Sequence, residues 1–336
     1  MSTERTSALT AGGHKSISVY TPALKLVGRI ESWVSLVWPE RYNVYRGVQG
    51  AQLELHASTE MLSLCRPNRY LWLTDSDRLM RIVSTQKSDA AFVLSCKDAV
   101  TLLDERASTK TLSGFALEST LRNLVGGMDW PDLALGAAAG ISENYDGEVK
   151  PGSLLAVVEQ VCQEHDIGFR ARFDPDARKL LFELYRPKLD PNAVYAPQYG
   201  NLTDLTYTES INDYKNVAIV LGANATVTVG AVKTTGADRR EIVVDASNKE
   251  KSEEQSADDY HAELKAMGEQ ALAKHTRIEN FRFTPTDAVT VGKIVAASLP
   301  GTDIHAAARI TSVTLTSQKG ENTVSTEIGT PVIRRK

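Results

Sequence analysis

Six histidines, and the acidic residues beside some of them, are the side chains most able to carry acid–base chemistry. The densest cluster is Glu164-His165-Asp166, but neighbouring residues on a helix face different directions and would not converge on one substrate atom. His261 and His275 fall on one predicted helix without the i,i+4 spacing of a zinc protease. A catalytic site also needs a nucleophile or a water molecule that a third group positions. We therefore expect no catalytic residue in this set.

Phosphate, hydrolase and calcium motifs are incomplete. Gly136–Gly140 lacks the Lys-Ser/Thr pair that holds phosphates, and Leu112–Phe115 is too short for a Gly-x-Ser-x-Gly elbow. Asp75 and Asp77 lack the glycine and distal glutamate of an EF-hand loop, and we interpret them as a turn. A glycosidase needs two carboxylates at a defined separation, which sequence spacing cannot supply. The sequence thus predicts no catalytic, cofactor-binding or metal-binding residue and no cofactor.

Length, composition and charge narrow the class of protein. The 336 residues can bury a sizeable core and suggest two or three domains, and 42% hydrophobic with 24% charged residues is ordinary for a globular protein. The net charge of −4 argues against a dedicated nucleic-acid binder, which normally carries a basic surface. No apolar run approaches the roughly 20 residues that span a bilayer, so we expect no stable membrane insertion.

The N-terminus and the cysteines indicate the compartment. Residues 1–15 lack the apolar segment of a secretory signal and are predicted to be a flexible arm. Cys65, Cys96 and Cys162 are an odd and widely spaced set, which favours free thiols in a reducing cytosol and gives no local zinc clamp.

Residues 16–110 are predicted to form a first β domain. Its short strands with polar turns are typical of a small barrel or sandwich. Pro39 is expected to end its strand, because proline cannot donate to a ladder interior. The predicted strands are Ile17–Tyr20, Leu24–Ile30, Val34–Val37, Ala51–Leu55, Tyr70–Leu73, Arg78–Gln86 and Phe92–Cys96.

Residues 111–199 are predicted to form an α+β module. Leu117, Leu121, Leu124 and Val125 share one helical face, which Gly126-Gly127 ends. A second helix begins after Ser153 as N-cap, with Leu154, Val157, Val158 and Val161 facing inwards. Asp174–Arg178 joins two alternating strands, Phe169–Phe173 and Lys179–Tyr185, into a hairpin.

Residues 200–336 are predicted to form a second β domain. Strands are expected at Leu202–Ser210 and Asn216–Leu221, a hairpin at Thr226–Thr234 with Arg240–Val244, and a mobile polar loop at Ser247–Ser256. An amphipathic helix at about 257–275 follows the capping box of Ser256 and Asp259. Three strands close the chain, at Ile294–Ser298, Ala307–Gln318 and Glu321–Ile328. The predicted fold class is therefore α+β, mostly β, with two small barrel-like β domains, an inserted α+β module and one helix before the C-terminal strands.

The order of residues near the N-terminus carries a family resemblance. It runs through Gly28-Arg29-Ile30, Trp33-Val34-Ser35-Leu36-Val37-Trp38, Glu40-Arg41-Tyr42 and Gln52-Leu53-Glu54-Leu55. This order resembles the opening of the siphophage tail-hub proteins of the Gp37-like family, relatives of baseplate-hub and tail-associated proteins. The likeness extends from about Leu24 to about Ile328 through further stretches, namely Ser76–Ile82, Leu103–Arg106, Gly200–Leu202, Tyr207–Ser210 and Asp213–Ala218.

The resemblance implies a structural role in a virion, at the tail tip or baseplate, after assembly in the cytoplasm of a host bacterium. In that family two barrel-like domains per chain pair around an axis, so that a homotrimer forms a quasi-six-fold ring that lines the DNA channel. The implied partners are the distal tail protein, the tail-tube protein, the C-terminus of the tape-measure protein and a tail fibre or receptor-binding subunit. Larger tail-associated members carry a C-terminal peptidase or fibre extension, which we do not expect here because Lys336 closely follows the last predicted strand.

Two other functions stay open, a tail-associated peptidoglycan hydrolase and a carbohydrate-binding adsorption module. A zymogram would reveal the first, and a glycan array the second. Trp33, Trp38 and Tyr42 are expected to pack in the core, with a subunit interface as the alternative because such patches are rich in aromatic residues. Because the chain is acidic and a basic wall would hold phosphates, we expect a channel that is neutral or acidic.

Overall fold

The structure is a computed structural model that describes residues 9–89, 91–128, 130, 133–252, 255–286 and 290–335. The chain divides into two compact units. Unit 1 comprises Met1–Asp204 with Phe283–Lys336, and unit 2 comprises Leu205–Arg282. Unit 2 is therefore an insertion in the sequence of unit 1.

Short β-strands dominate the described residues, and their bounds are as follows. The N-terminal strands are β1 (Ile17–Tyr20), β2 (Leu26–Ile30), β3 (Ser35–Arg41), β4 (Gln52–His56), β5 (Tyr70–Leu73), β6 (Met80–Lys87) and β7 (Ala91–Asp98). The middle strands are β8 (Ala107–Ser108), β9 (Leu112–Ala116), β10 (Leu133–Leu135), β11 (Asn144–Val149), β12 (Gly152–Ser153), β13 (Gly168–Asp174), β14 (Lys179–Tyr185) and β15 (Leu189–Tyr195). The C-terminal strands are β16 (Leu202–Ser210), β17 (Val217–Gly222), β18 (Thr226–Gly230), β19 (Glu241–Ala246), β20 (Ile278–Pro285), β21 (Ile294–Ser298), β22 (Ile304–Gln318), β23 (Glu321–Ile328) and β24 (Val332–Arg335).

Two of the helices begin at the N-caps that the sequence predicts. The helices are α1 (Thr59–Leu64), α2 (Leu117–Gly126), α3 (Leu154–Glu164) and α4 (Ala257–Lys274), with short 3-10 segments at Ala99–Glu105, Pro197–Tyr199 and Gly236–Asp238. The Ser153 hydroxyl accepts from the N–H of Ala156, and that of Ser256 from the N–H of Asp259, so both predicted N-caps are confirmed. Sequence reasoning missed α1, a helix of 6 residues.

One sheet of 12 described strands forms the frame of unit 1, and β22 is its longest strand. The C-terminal half of β22 pairs with β3 along Ser312–Gln318 and with β23. Its N-terminal half pairs with β21 and β24. From β3 the order continues through β4, β7, β6, β5, β1 and β2. The N-terminal strands and the last four strands, β21 to β24, thus belong to one sheet.

The α+β module packs its helices over the hairpin of β13 and β14. The hairpin pairs from Gly168 to Tyr185, as predicted, and β10 adds a parallel strand to β14. Residues predicted for the inner helix faces, such as Leu121 and Val158, are fully buried with Phe169 and Phe182 of the hairpin. This contiguous core positions β13 against the end of β3.

The mixed α+β, mostly β class is confirmed, whereas two barrel-like domains are not. The reason is the long-range pairing of β22 with β3, which joins the two regions that we expected to close separately. The fourfold division at residues 15, 110 and 199 stays a prediction. Of the predicted arm, residues 1–8 lie outside the described part of the chain, while Leu9 and Lys15 are buried. Of the polar loop, Glu253 and Glu254 lie outside it.

The prediction that Pro39 ends its strand is wrong. Pro39 lies inside β3 opposite Thr314. The N–H of Tyr42 donates to Thr311 on β22, and because alternate residues point alternate ways, the nitrogen of Pro39 faces away from β22. On that other side β4 pairs only with Ser35–Val37, so the missing N–H of Pro39 interrupts no ladder.

The predicted hairpin between Thr226–Thr234 and Arg240–Val244 is also wrong. β18 pairs with β17 in antiparallel fashion, and β19 pairs with the other side of β17 in parallel. The order β18-β17-β19 therefore places the more apolar β17 in the centre, with α4 against one face. Local periodicity identified the strands, but only packing decides which strand is central.

Gly268 gives a test of how unit 2 is held together. A Cβ at this helix position would lie 2.4 Å from Val229 Cγ2 and 2.9 Å from Val220 Cγ2. We expect Gly268→Val to lift α4 from the sheet and to destabilise unit 2 by about 1–3 kcal/mol, as overpacking of a core does. Hydrogen exchange of β17 would report the loss. Ala266→Val, on the exposed side of α4, is the control, and equal exchange in the two variants would contradict the packing.

Candidate functional site

Arg78 lies at the centre of a buried network of charged side chains in unit 1. It is 2% exposed, and its Nε donates to Asp77 Oδ1 at 3.1 Å. Its Nη1 lies 3.8 Å from Asp98 Oδ2, close enough for charge attraction but too far for a hydrogen bond. Burial by itself lowers the pKa of the Arg78 guanidinium, but the carboxylates of Asp77 and Asp98 outweigh burial and raise that pKa. Arg78 is therefore held in its charged form.

Asp98 is the more weakly paired acid of this network. Its Oδ1 accepts from the backbone N–H of Val100 at 2.8 Å, and its Oδ2 has no hydrogen-bond partner among the described residues. Burial raises the pKa of the Asp98 carboxyl, although Arg78 and the N–H of Val100 act to lower it. Both pKa values are raised, which favours the charged form of Arg78 but the neutral form of Asp98, because an attraction over 3.8 Å does not offset the desolvation of a buried carboxylate.

Ser76 fastens this network to β3. Its Oγ donates to Glu40 Oε1 at 2.6 Å and accepts from Trp38 Nε1 at 3.3 Å and from the backbone N–H of Arg78 at 3.0 Å. Trp38 and Glu40 are both buried, because alternate residues of β3 face the core. The turn between β5 and β6 is thereby tied to a strand about 36 residues earlier.

Two arginines of β13 extend the network into the α+β module. Arg170 Nη1 lies 3.0 Å from Asp77 Oδ2, and its Nη2 lies 2.8 Å from Glu183 Oε2 on β14. Arg172 Nε binds Glu183 Oε1 at 2.9 Å. Arg78 and Arg172 also form an isolated backbone bridge. The charged side chains therefore span the boundary between the first β region and the module.

Asn43 makes a second link across the same boundary. Its Nδ2 donates to the carbonyl of Ile167 at 2.9 Å, and its Oδ1 accepts from the N–H of Phe169 at 2.8 Å. Asn43 is 3% exposed and has a φ of +51°, a conformation that asparagine tolerates better than most residues. The amide thus replaces a missing ladder bond at the start of β13.

A layer of aromatic rings and guanidinium groups connects β22 to the same boundary. We call this boundary between β3 and the α+β module the joint. The Arg309 guanidinium lies 4.4 Å from the centre of the Tyr42 ring, and it binds Asp166 Oδ2 at 2.6 Å. Tyr42 and Tyr185 meet edge to face at 6.0 Å. Burial raises the pKa of the Tyr42 hydroxyl, so the phenol stays neutral. Strands β3, β14 and β22 are held together here.

The arrangement can hold charges and strands in place. Sequence reasoning interpreted Asp75–Asp77 as a turn, and Asp75 with a φ of +70° makes that turn. It missed that Ser76 and Asp77 also bind Glu40 and Arg78. The sequence did contain one signal of this buried network. Arg78 alternates with Met80 and Ile82, which are buried, so the pattern placed a charged residue at a core-facing position.

The residues considered for chemistry do not converge. His165 lies beside Glu143 at 3.4 Å, whereas Glu164 accepts from the Tyr145 hydroxyl and Asp166 binds Arg309. In the part of the chain that the structure describes, no group of three or more His, Cys, Asp or Glu side chains could hold a metal. No helix of those residues is both long and apolar enough to cross a membrane.

The three cysteines are free thiols, as predicted, and the structure buries all three. Burial raises the pKa of the Cys65 thiol to about 12 and also raises those of Cys96 and Cys162. Burial thus disfavours the thiolate, which is the reactive form of a cysteine.

Of the aromatic residues considered for a subunit interface, Trp38 has no exposed surface. Trp33 is half-buried and donates to Ser317 Oγ at 2.9 Å, and Tyr42 lies under Arg309. The core interpretation is therefore right for Trp38, because a side chain already buried in one chain has no surface left for a partner.

A family model described as Siphovirus ReqiPepy6 Gp37-like protein matches residues 16–330. The chain belongs to this family. The resemblance found in the sequence is thus confirmed over nearly the whole chain. No curated protein matches the sequence of this Gp37-like chain.

Three solved structures share the fold of this Gp37-like chain. The 43 kDa tail protein of prophage MuSo2 from Shewanella oneidensis has a TM-score of 0.51 at 8% identity, covering 94% of this chain and 98% of its own. A tail protein from Neisseria meningitidis MC58 has 0.50 at 12%, covering 94% and 97%. Prophage tail protein gp18 from Listeria monocytogenes EGD-e has 0.51 at 10%, covering 93% and 94%. By family and fold the chain is a phage tail protein.

Proposed function

We propose that the chain is the hub of a phage baseplate, a homotrimer that joins the distal end of the tail tube to the central fibre or tip. The observation that carries the proposal is the family match over residues 16–330, together with a fold shared with tail proteins along more than nine-tenths of the chain. The pairing of β22 with β3, which joins N-terminal and C-terminal strands in one sheet, supports the proposal. A ring subunit must stay rigid while it joins parts of different symmetry.

The proposed partners are those that the family implies, and the proposed place is the virion tail tip. A distal tail protein and the tail-tube protein would contact one side of the ring. The C-terminus of the tape-measure protein and a fibre or receptor-binding subunit would contact it elsewhere, and DNA would only pass through. Neither alternative function gains support, because the family and the fold indicate no enzyme or lectin.

A wall for the DNA channel is available on the outward face of the large sheet. Paired residues of an antiparallel sheet lie on the same face, so the register defines rows that cross β23, β22, β3, β4, β7 and β6. Two adjacent rows contain no Lys, Arg or His and no buried residue. They are Glu321, Gln318, Ser35, Glu54, Val93 and Gln86, then Thr323, Thr316, Val37, Gln52, Ser95 and Ser84.

These rows fit the expectation of a neutral or acidic channel. Six strands at a spacing of about 4.8 Å give a strip roughly 24 Å wide. Its charges are those of Glu54 and Glu321, and its other polar groups are hydroxyls and amides. Such a surface would not retain phosphates, because retention requires cations that displace the counterions of DNA. We propose that this strip faces the passing DNA.

Lysine substitutions on the strip test that assignment. We expect Gln52→Lys, Thr316→Lys and Thr323→Lys together to slow genome release from triggered particles by about tenfold or more, because three chains would present nine new cations to the DNA. Single-particle fluorescence of a DNA dye would measure the release rate. Particle numbers should stay normal, since Gln52 and Thr323 are exposed and Thr316 is only half-buried.

The matched control places the same three charges elsewhere. Thr226→Lys, Thr228→Lys and Ser247→Lys are exposed positions of unit 2, and we expect normal release from particles that carry them. Equal rates of DNA release from particles with either set of substitutions would contradict the assignment of the strip to the channel wall. The hub itself is tested separately by the mass of the purified protein, where a closed trimer is expected at roughly 110 kDa, three times 36.7 kDa. A stable monomer that also leaves no trace in the particle would contradict the proposed function.

A further inference from the structure

Glu40 is a buried carboxyl group without a cation. It is 4% exposed, and its hydrogen-bond donor is the neutral hydroxyl of Ser76, 2.6 Å from Oε1. Among the described residues no Lys, Arg or His nitrogen lies within 4.0 Å of it. An ionised carboxylate in such a place is strongly unfavourable, whereas a neutral carboxylic acid is not.

Among groups in direct hydrogen-bond or ion-pair contact, the network around Glu40 also contains one acid more than its cations, while Arg41 acts on Asp98 from beyond ion-pair distance. The guanidinium groups are those of Arg78, Arg170 and Arg172, and the carboxyl groups are those of Glu40, Asp77, Asp98 and Glu183. Asp77 is shared by two guanidinium groups, and so is Glu183. Among the described cations, Arg78 is the one within ion-pair distance of Asp98, at 3.8 Å. No guanidinium group is left for Glu40.

The charged groups that act on Glu40 come from several packed elements. The turn before β6 contributes Asp77 and Arg78, the end of β7 contributes Asp98, and β13 contributes Arg170 through Asp77. Tyr185 of β14 lies near Arg78. On β22 the residue paired with Glu40 is the neutral Val313. Attraction from one guanidinium thus competes with repulsion from two carboxylates.

We infer that Glu40 is a proton-binding site, that it carries its proton at neutral pH, and that loss of the proton loosens the joint between β3 and the α+β module. Ionised Glu40 would add a fourth negative charge to a buried network with three positive ones. The weakest contact, between Arg78 and Asp98, would then compete with a new attraction of Arg78 to Glu40. The inference concerns this joint and holds whether or not the chain is a hub.

The sense of the pH dependence follows from burial. Burial, reinforced by the negative charge of Asp77, raises the pKa of the Glu40 carboxyl to about 8, above the ordinary value of 4.5. The folded chain therefore holds a proton that the unfolded chain releases over this range, so stability declines as pH rises from about 5 to about 8 and levels off above it. A carboxyl paired with a cation would have a lowered pKa, so its effect on stability would fall at more acidic pH and would leave no slope between pH 5 and pH 8.

Two measurements on the full chain test the inference. At pH 7 the infrared spectrum of the wild type minus that of Glu40→Gln should contain the carbonyl band of a protonated carboxylic acid. Between pH 5 and pH 9 the urea midpoint of the wild type should fall by about 1 M or more, and Glu40→Gln should lose most of that slope, because its amide keeps the bond to Ser76 without titrating.

Glu327→Gln, an exposed position on β23, is the matched control. It should keep the slope of the wild type and give no acid band. Absence of the band at pH 7, or equal slopes in wild type and Glu40→Gln, would overturn the inference. If Glu40→Gln folds poorly, Glu40→Met supplies the same comparison with an apolar side chain of similar size.

Discussion

Replacing Arg78 with methionine is expected to destabilise the protein by about 3–5 kcal/mol, because removing one partner of a buried ion pair leaves its acids uncompensated. Asp77 would keep Arg170, but Asp98 would keep only the N–H of Val100. The methionine fills most of the space, so the loss reports charge rather than volume. Urea unfolding at pH 7 would measure the change in free energy.

Arg29→Met provides the control for this result. Arg29 lies exposed on β2, where such a change is expected to alter stability by no more than about 0.5 kcal/mol. The double variant Arg78→Met with Asp98→Asn should recover part of the loss, because the orphaned charge is then gone. If Arg78→Met is as stable as Arg29→Met, the network does not hold the joint.

Replacing Trp38 with alanine is expected to destabilise unit 1 by about 3–5 kcal/mol, the range for removing a large buried aromatic side chain. Trp38 has no exposed surface. Loss of its indole N–H would also leave the Ser76 hydroxyl with one hydrogen-bond donor fewer. The loss should appear in the unfolding of the dilute protein, where subunits do not associate. An interface residue would instead leave that stability unchanged and weaken association.

Trp33→Ala separates these two outcomes. Trp33 is half-buried and bonds to Ser317, so we expect a smaller loss of about 1 kcal/mol. Urea unfolding and light scattering on the same samples would give stability and mass together. A Trp38→Ala protein with unchanged stability but a smaller mass would reverse the assignment of Trp38 to the core.

Local sequence determined much of the secondary structure. Ser153 and Ser256 begin helices because their hydroxyls bind N–H groups only a few residues away. The turn at Asp174–Arg178 determines its hairpin for the same reason. The order of residues from Gly28 to Leu55, together with later stretches such as Gly200–Ala218, indicated the family, which the match over residues 16–330 confirms.

Tertiary structure alone decided which strands pair with each other and which charged side chains meet at the joint. β22 pairs with β3 although about 270 residues separate them, and Pro39 is tolerated because β4 stops short of it. Glu40, the turn residues Ser76 and Arg78, and Asp98 come from three separate stretches of the chain and carry no shared motif. Periodicity indicates which side of a strand is buried. The partner of that strand depends instead on distant segments and their packing. Neither the order of strands in the sheet nor the surplus buried acid therefore follows from the local pattern of residues.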